Sequence, residues 1–264
     1  MTNTKIVKLK LDEEGGEKLP ALKDPTVREV LGVYDGIQSS RESKSARYDH
    51  MLGAVKGFDV TETQLHDIVN ALDGRQRTFD DKVKGGLFLT ALAQNSSTNE
   101  FKIKVGTPYV AVGCKLGIGK KITVVGDLGE QTGREMDGGT VHVMGNAGQK
   151  TGNRMRRGMI IVEKDADTHL GYKMSGGKIH VKGNASVFAG CEMNGGEIEI
   201  DGDSAGDTGF CMQSGRLIVH KNVGLQTGGW TSGGTIVVDG EIGSVHEYHN
   251  KGEIIHKGVR IPPK

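Results

Sequence analysis

The segment Gly113–Lys121 reads G-C-K-L-G-I-G-K-K and holds what a phosphate cradle needs: glycines that free backbone amides, and a lysine beside them. The working pattern is G-x-x-x-x-G-K-[ST], with the hydroxyl on Mg²⁺. Here five residues separate Gly113 from Gly119, and Lys121 stands where the hydroxyl belongs. No G-x-G-x-x-G run opens a helix after a strand, so dinucleotide binding fails as well. These glycines read as turn residues.

Nine histidines offer metal ligands. His142 and His180 occupy the same position in a repeat described below and point outward two coils apart, about 10 Å. That is too far for one zinc ion, whose ligands sit at about 2.0–2.3 Å. His246, His249 and His256 gather near the C-terminus with Glu247 between the first two; they suit a metal, but an exposed end cap or an interface to another subunit is expected instead. No H-E-x-x-H occurs. G-x-S-x-G is absent too, and Ser175, Ser214 and Ser232 stand beside turn glycines. Cys114, Cys191 and Cys211 form no CxxC, which excludes a zinc knuckle or an iron–sulfur motif. Cys191 and Cys211 fall on adjacent coils, and all three are expected to be buried as small hydrophobes. Arg154-Met155-Arg156-Arg157 with Lys150 forms a positive patch on one coil. No catalytic, cofactor-binding or metal residue is assigned. Lys150, Arg154, Arg156, Arg157, His246, His249 and His256 are the candidate partner contacts.

A nineteen-residue period positions nearly all of these groups. Met136, Met155, Met174, Met193 and Met212 keep it, as do Gly133, Gly152, Gly171, Gly190, Gly209 and Gly228. A polar column runs Asp127, Asn146, Asp165, Asn184, Asp203, Asn222, Glu241. An apolar pair recurs from Ile103/Val105 to Ile236/Val238, and two inward residues flanking one outward residue make a short strand. With no helix between strands, successive coils must stack in parallel about 4.8 Å apart as a β-solenoid. Methionine then fills the interior and glycine the bends. Asn and Asp suit corners, either by tolerating left-handed backbone or by bonding along a ladder. Near the end the pattern degrades: Trp230-Thr231 breaks the methionine slot, and the last step, to Gly252-Glu253-Ile254, is eighteen.

Residues 1–98 do not repeat and read as an N-terminal arm and helical cap, with the solenoid over 99–264. Met1–Lys23 is an expected arm, and Gly36–Ser45 an expected loop. Asp24-Pro25 caps a short helix through Leu31. Thr61-Glu62-Thr63-Gln64 has capping-box form ahead of Leu65, Ile68, Val69 and Leu72. A last helix spans Phe79–Gln94 with Phe79, Val83, Leu87, Phe88, Ala91 and Leu92 on its apolar side, weakened by Gly85-Gly86. This cap is expected to close the first coil.

Composition narrows the function classes. Lys plus Arg is 34 against 33 Asp plus Glu, so the net charge of +1 gives no case for nucleic acid or an anionic membrane. No apolar run reaches membrane-spanning length, and Met1–Lys10 lacks the apolar core of a signal peptide. The chain reads as cytoplasmic.

The blocks Met136-Asp137-Gly138-Gly139, Gly145-Asn146-Ala147-Gly148, Met174-Ser175-Gly176-Gly177, Gly183-Asn184-Ala185 and Met193-Asn194-Gly195-Gly196 resemble the GXGXG β-helix family over about residues 100–258. That family includes the β-helical chain of formylmethanofuran dehydrogenase, its counterpart in the bacterial formyltransferase/hydrolase complex, and the C-terminal domain of the large chain of glutamate synthase. The resemblance implies a single-stranded right-handed parallel β-helix. It further implies a non-catalytic scaffold subunit, of formylmethanofuran dehydrogenase type, in a hetero-oligomeric complex of one-carbon metabolism. Reduction of CO₂ and formyl capture on methanofuran would belong to partner subunits that hold molybdenum or tungsten pterin and iron–sulfur clusters. The alternative is a stand-alone glutamate synthase-type subunit assembled with amidotransferase and FMN-binding chains.

Overall fold

The computed structural model describes residues 23–37, 43–248 and 251–262. The expected arm over Met1–Lys23, except Lys23 itself, and His249 lie outside them. Four helices, α1 (Pro25–Gly36), α2 (Lys44–Ala54), α3 (Glu62–Asp73) and α4 (Phe79–Asn95), precede a parallel β-solenoid of about eight turns.

Local chemistry sets the helices. The Asp24 carboxylate accepts from the amides of Thr26 and Val27, with Pro25 in the first turn. This helix runs to Gly36, one turn beyond the expected end. Thr61 and Gln64 form the capping box of α3, which buries Leu65, Ile68, Val69 and Leu72. Helix α2 has no counterpart in the sequence reading. Its signal is Ser43 as N-cap followed by Tyr48, Met51 and Val55, buried at i, i+3 and i+7. The expected loop therefore ends before Lys44, and its residues 38–42 lie outside the described ones.

Two details of α4 correct the sequence reading. Phe79, the first residue of the helix, is 52% exposed rather than on the apolar face, with Lys44 Nζ 5.2 Å from its ring centroid. Gly85 and Gly86 mark contact rather than weakness. A β-carbon on Gly86 would lie 2.0 Å from the Val110 carbonyl oxygen, and one on Gly85 would lie 2.6 Å from the Tyr109 ring. Only glycine lets the helix lie this close on the first coil, where Leu87, Phe88, Phe101, Ile103 and Tyr109 share one core. The helical segment does cover that coil.

The solenoid strands are β1 (Glu100–Lys104), β2 (Lys121–Val125), β3 (Asp137–Val143), β4 (Arg157–Val162), β5 (Lys178–Val181), β6 (Asn194–Ile200), β7 (Ser214–Val219), β8 (Thr235–Val238), β9 (Glu253–His256) and β10 (Val259–Ile261). Strands β1 to β9 pair in parallel and in sequence order, and β10 folds back antiparallel on β9. Ile122, Val141, Ile160, Ile179, Ile198, Leu217, Ile236 and Ile254 stand in one register and are buried. Opposite them the five methionines are fully buried, and Thr231 takes the sixth slot.

Left-handed backbone falls elsewhere than the Asn/Asp column. Gln131, Lys150, His169, Phe188, Asp207 and Gln226 have φ near +60°, as do Glu135, Arg154, Lys173, Glu192, Cys211 and Trp230. Between them runs the glycine column. The Asn/Asp column instead forms the ladder: Asn146 N donates to Asp127 Oδ1 (2.7 Å), and Asp165 N to Asn146 Oδ1 (3.2 Å). The pattern continues through Asn184, Asp203, Asn222 and Glu241.

Candidate functional site

In the segment resembling a phosphate loop, the groups that would hold an anion are engaged by α4 and the residues that follow it. Gly113 N donates to Thr90 Oγ1 (2.8 Å) and Gly117 N to Gln94 Oε1 (2.9 Å). The buried Lys120 ammonium donates to the carbonyls of Ser96 and Thr98 and to Asn99 Oδ1. The segment is a latch between helix and solenoid.

Cys114 and Cys191 are buried as expected, and burial pushes both thiols up to about 12, away from nucleophilic use. Cys211, at a left-handed position of the corner, is only half-buried, a departure from the expected burial.

The outer face of the main sheet carries a wall of ion pairs. His142 Nε2 donates to Glu163 (2.6 Å), which also receives Lys182 (2.7 Å). His180 Nε2 contacts Asp201 (2.9 Å), and His220 bridges Asp239 (2.8 Å) and Glu199 (3.2 Å). Lys178 reaches both Glu197 (2.9 Å) and Glu199 (2.7 Å). The Lys178 ammonium, then His220, hold the Glu199 carboxyl down at about 2. Asp239, then Glu199, raise His220 above its ordinary value. The sequence reading set His142 and His180 apart, and the register keeps them two coils apart with separate acids. It missed the acids. Their signal is position: Glu163 and Asp201 each lie twenty-one residues beyond their histidine, one coil on and two along.

His180, Glu199 and Asp201 bring ligand atoms within 4.8 Å of one another, a donor set that suits a divalent cation. Each is already satisfied: Glu199 by Lys178 and His220, Asp201 by His180. The arrangement reads as an ion-pair wall.

The basic patch divides. Arg157 makes a two-point contact with Asp137 on the preceding coil (2.8 and 3.1 Å). Lys150, Arg154 and Arg156 pair with no carboxylate among the described residues. Lys150 and Arg154 stand on the left-handed corner. Burial, and secondarily the Lys150 charge, lowers the pKa of neighbouring His169.

The C-terminal histidines have separate partners. His256 Nε2 donates to the Gly240 carbonyl (2.9 Å), while His246 accepts from Tyr248 N (3.0 Å). His246 also joins an aromatic group the sequence reading missed. Its ring lies 6.1 Å from Trp230 and 5.8 Å from Tyr248, and the last two stack at 4.8 Å. Further along the same corner His169 stacks on Phe188 (4.9 Å) and meets Tyr172 edge-on (5.7 Å), and Phe188 meets Phe210 edge-on (6.1 Å). Gly229 joins the two groups: a β-carbon there would lie 3.0 Å from both the Phe210 and His246 rings.

No helix among the described residues is long and apolar enough to cross a membrane. No family model matches the chain. No curated protein matches it either. Among solved structures, the fold is similar to a chain in the crystal structure of the formyltransferase/hydrolase complex from Methylorubrum extorquens in complex with methylofuran. The two share 27% sequence identity with a TM-score of 0.50, over 55% of this chain and 57% of that one. The chain thus spans a little over half the length of this neighbour, which belongs to a multi-subunit formyltransferase/hydrolase assembly.

Proposed function

We propose that this chain is a scaffold subunit of a multi-chain complex of one-carbon metabolism, in which partner chains handle a formyl group carried on a methanofuran-type carrier. The observation that carries the reading is the similarity to a chain of the formyltransferase/hydrolase complex. Two features support it. The period assigns glycine, methionine and Asn/Asp to bends, interior and ladder, and the ion-pair wall occupies the outward histidines. The near-identical coils present a long rigid surface, which suits assembly.

The matched complex is named for formyl transfer and hydrolysis. It therefore favours that branch of the methanofuran-linked family. In the formylmethanofuran dehydrogenase branch, molybdenum or tungsten pterin and iron–sulfur clusters would sit in partner chains.

The test is purification of the chain from its native source under gentle conditions, with identification of co-eluting proteins, formyl-transfer and hydrolysis assays, and metal analysis. Co-elution with chains that carry formyl-transfer activity is expected. Elution alone, or with an FMN-binding chain and an amidotransferase, would overturn the proposal.

A further inference from the structure

Seven residues of the solenoid are Phe, Trp or Tyr, and two of them, Phe101 and Tyr109, are buried beneath the helical cap. The other five, Tyr172, Phe188, Phe210, Trp230 and Tyr248, all reach the surface, and all on one corner. Four coil steps separate Tyr172 from Tyr248, so the strip is roughly 19 Å long. Trp230 is 51% exposed and Tyr248 49%, and Leu225, exposed at 62%, lies on the approach to the same corner.

The backbone beneath makes the arrangement costly. Phe188 and Trp230 hold φ of 63° and 56°, where an L-residue is strained by about 1–2 kcal/mol and glycine is not. The chain places glycine in the neighbouring left-handed column, yet keeps large rings here. Every coil keeps a non-glycine residue at these two left-handed positions, and what sets this stretch apart is that rings at the surface occupy them or stand beside them, which points to a binding role.

The rings also limit what binds. Trp230 and Tyr248 lie face to face, as do His169 and Phe188, so one face of each ring is covered by its neighbour and less ring face is left for a sugar or a nucleobase to stack on. Carboxylates at Glu192, Asp207 and Glu247 border the strip, which disfavours a nucleic-acid backbone. Surface aromatic rings flanked by unpaired cations fit a protein interface, where aromatic residues and Arg are enriched and charge lies at the rim. Those cations, Lys150 and Arg154, continue the same two left-handed columns at the N-terminal end of the strip.

We infer that this corner docks a partner protein chain whose surface is apolar opposite Trp230 and Tyr248 and acidic opposite Lys150 and Arg154. The inference rests on the reading of this chain as a subunit of a complex.

Hydroxyl-radical footprinting of the complex purified from its native source, against the purified full-length chain alone, tests it. In the complex Trp230, Tyr248 and Phe188 are expected to lose most of their modification, while exposed Phe79 and Met144 keep theirs. Co-purification with unprotected rings overturns the docking surface and leaves the subunit reading standing; a chain that elutes alone overturns both. Protection that grows with concentration of the isolated chain assigns the strip to a second copy, and protection by an added oligosaccharide assigns it to a sugar. Either result overturns the inference. Two variants complete the test. Trp230→Gly relieves the left-handed strain, so the melting temperature of the isolated chain should hold while complex affinity falls at least about tenfold. K150E/R154E should weaken assembly most at low salt. Unchanged assembly in both variants overturns the inference.

Discussion

A β-carbon on Gly152 would lie 2.3 Å from Ile179 Cδ1 on the following coil, whereas Lys150, two residues away in the same left-handed conformation, sends its side chain outward. The corner thus contains two kinds of left-handed site. One requires glycine because the interior is full; the other tolerates a side chain at the expense of strain.

The two kinds should respond oppositely to substitution. Gly152→Ala adds left-handed strain and overpacks the interior, and should destabilise by about 2–5 kcal/mol. Lys150→Gly should be neutral or stabilising by up to about 1 kcal/mol. Denaturant titration of both variants checks this; equal losses would sink the distinction.

Gly86→Ala places a methyl group against the Val110 carbonyl. Helix α4 must then lift from the first coil, exposing Leu87, Phe88 and Phe101. Faster amide exchange in α4 and β1, with the coils beyond Gly133 unchanged, is the expected signature, since a stacked array can open at one end.

Along the ladder, asparagine alternates with aspartate from Asp127 to Asn222. Asn184 Nδ2 donates to Asp165 Oδ1 (3.2 Å), while Asn184 Oδ1 accepts from Asp203 N (2.9 Å). Asn184→Asp keeps the acceptor but sets three carboxylates in a row. It should cost about 1 kcal/mol at low salt and recover as salt is added. Asn184→Ala should cost about 1 kcal/mol at any salt concentration. A salt series of thermal melts separates the two.

The ion-pair wall predicts opposite pH limbs. Glu199 has its folded value depressed to about 2, so its contribution is present above the ordinary carboxylate value of about 4.3 and lost as pH falls below it. His220 is raised, so its contribution is whole below about pH 6.5 and lost as pH rises through the folded value. Both groups are partly exposed, and each effect should stay below about 1 kcal/mol. Glu199→Gln should flatten the acid limb of stability against pH, and His220→Gln the alkaline limb; a variant that flattens the other limb contradicts the assignment.

Much of the fold was legible because its determinants repeat. The Ile-x-Val pairs and the methionines recur often enough for the period to emerge from the residues alone, and the capping box at Thr61 is a local signal. Helix α2 was missed because its buried apolar residues, Tyr48 and Met51, with Val55 at its C-cap, sit among charged neighbours. Gly85-Gly86 was misread because a helix interior gives no local reason for glycine; the reason is the Val110 carbonyl, distant in sequence. At the candidate site, Lys150, Arg154, Arg156 and Arg157 were named as contacts from charge alone, and charge could not show that Arg157 is engaged by Asp137 on the preceding coil.

By itself the sequence determined the coil length, the parallel stacking, the interior and the capped beginning, because each follows from residue type at a fixed step. Only the tertiary structure decided what reaches the surface together. Tyr172, Phe188, Phe210, Trp230 and Tyr248 are separated by 16, 22, 20 and 18 residues and belong to no single column. Their meeting depends on the dihedral angles of the left-handed corner, which set the direction of each column around the solenoid. A period gives the height of a residue along the stack; the bend gives the face on which it stands.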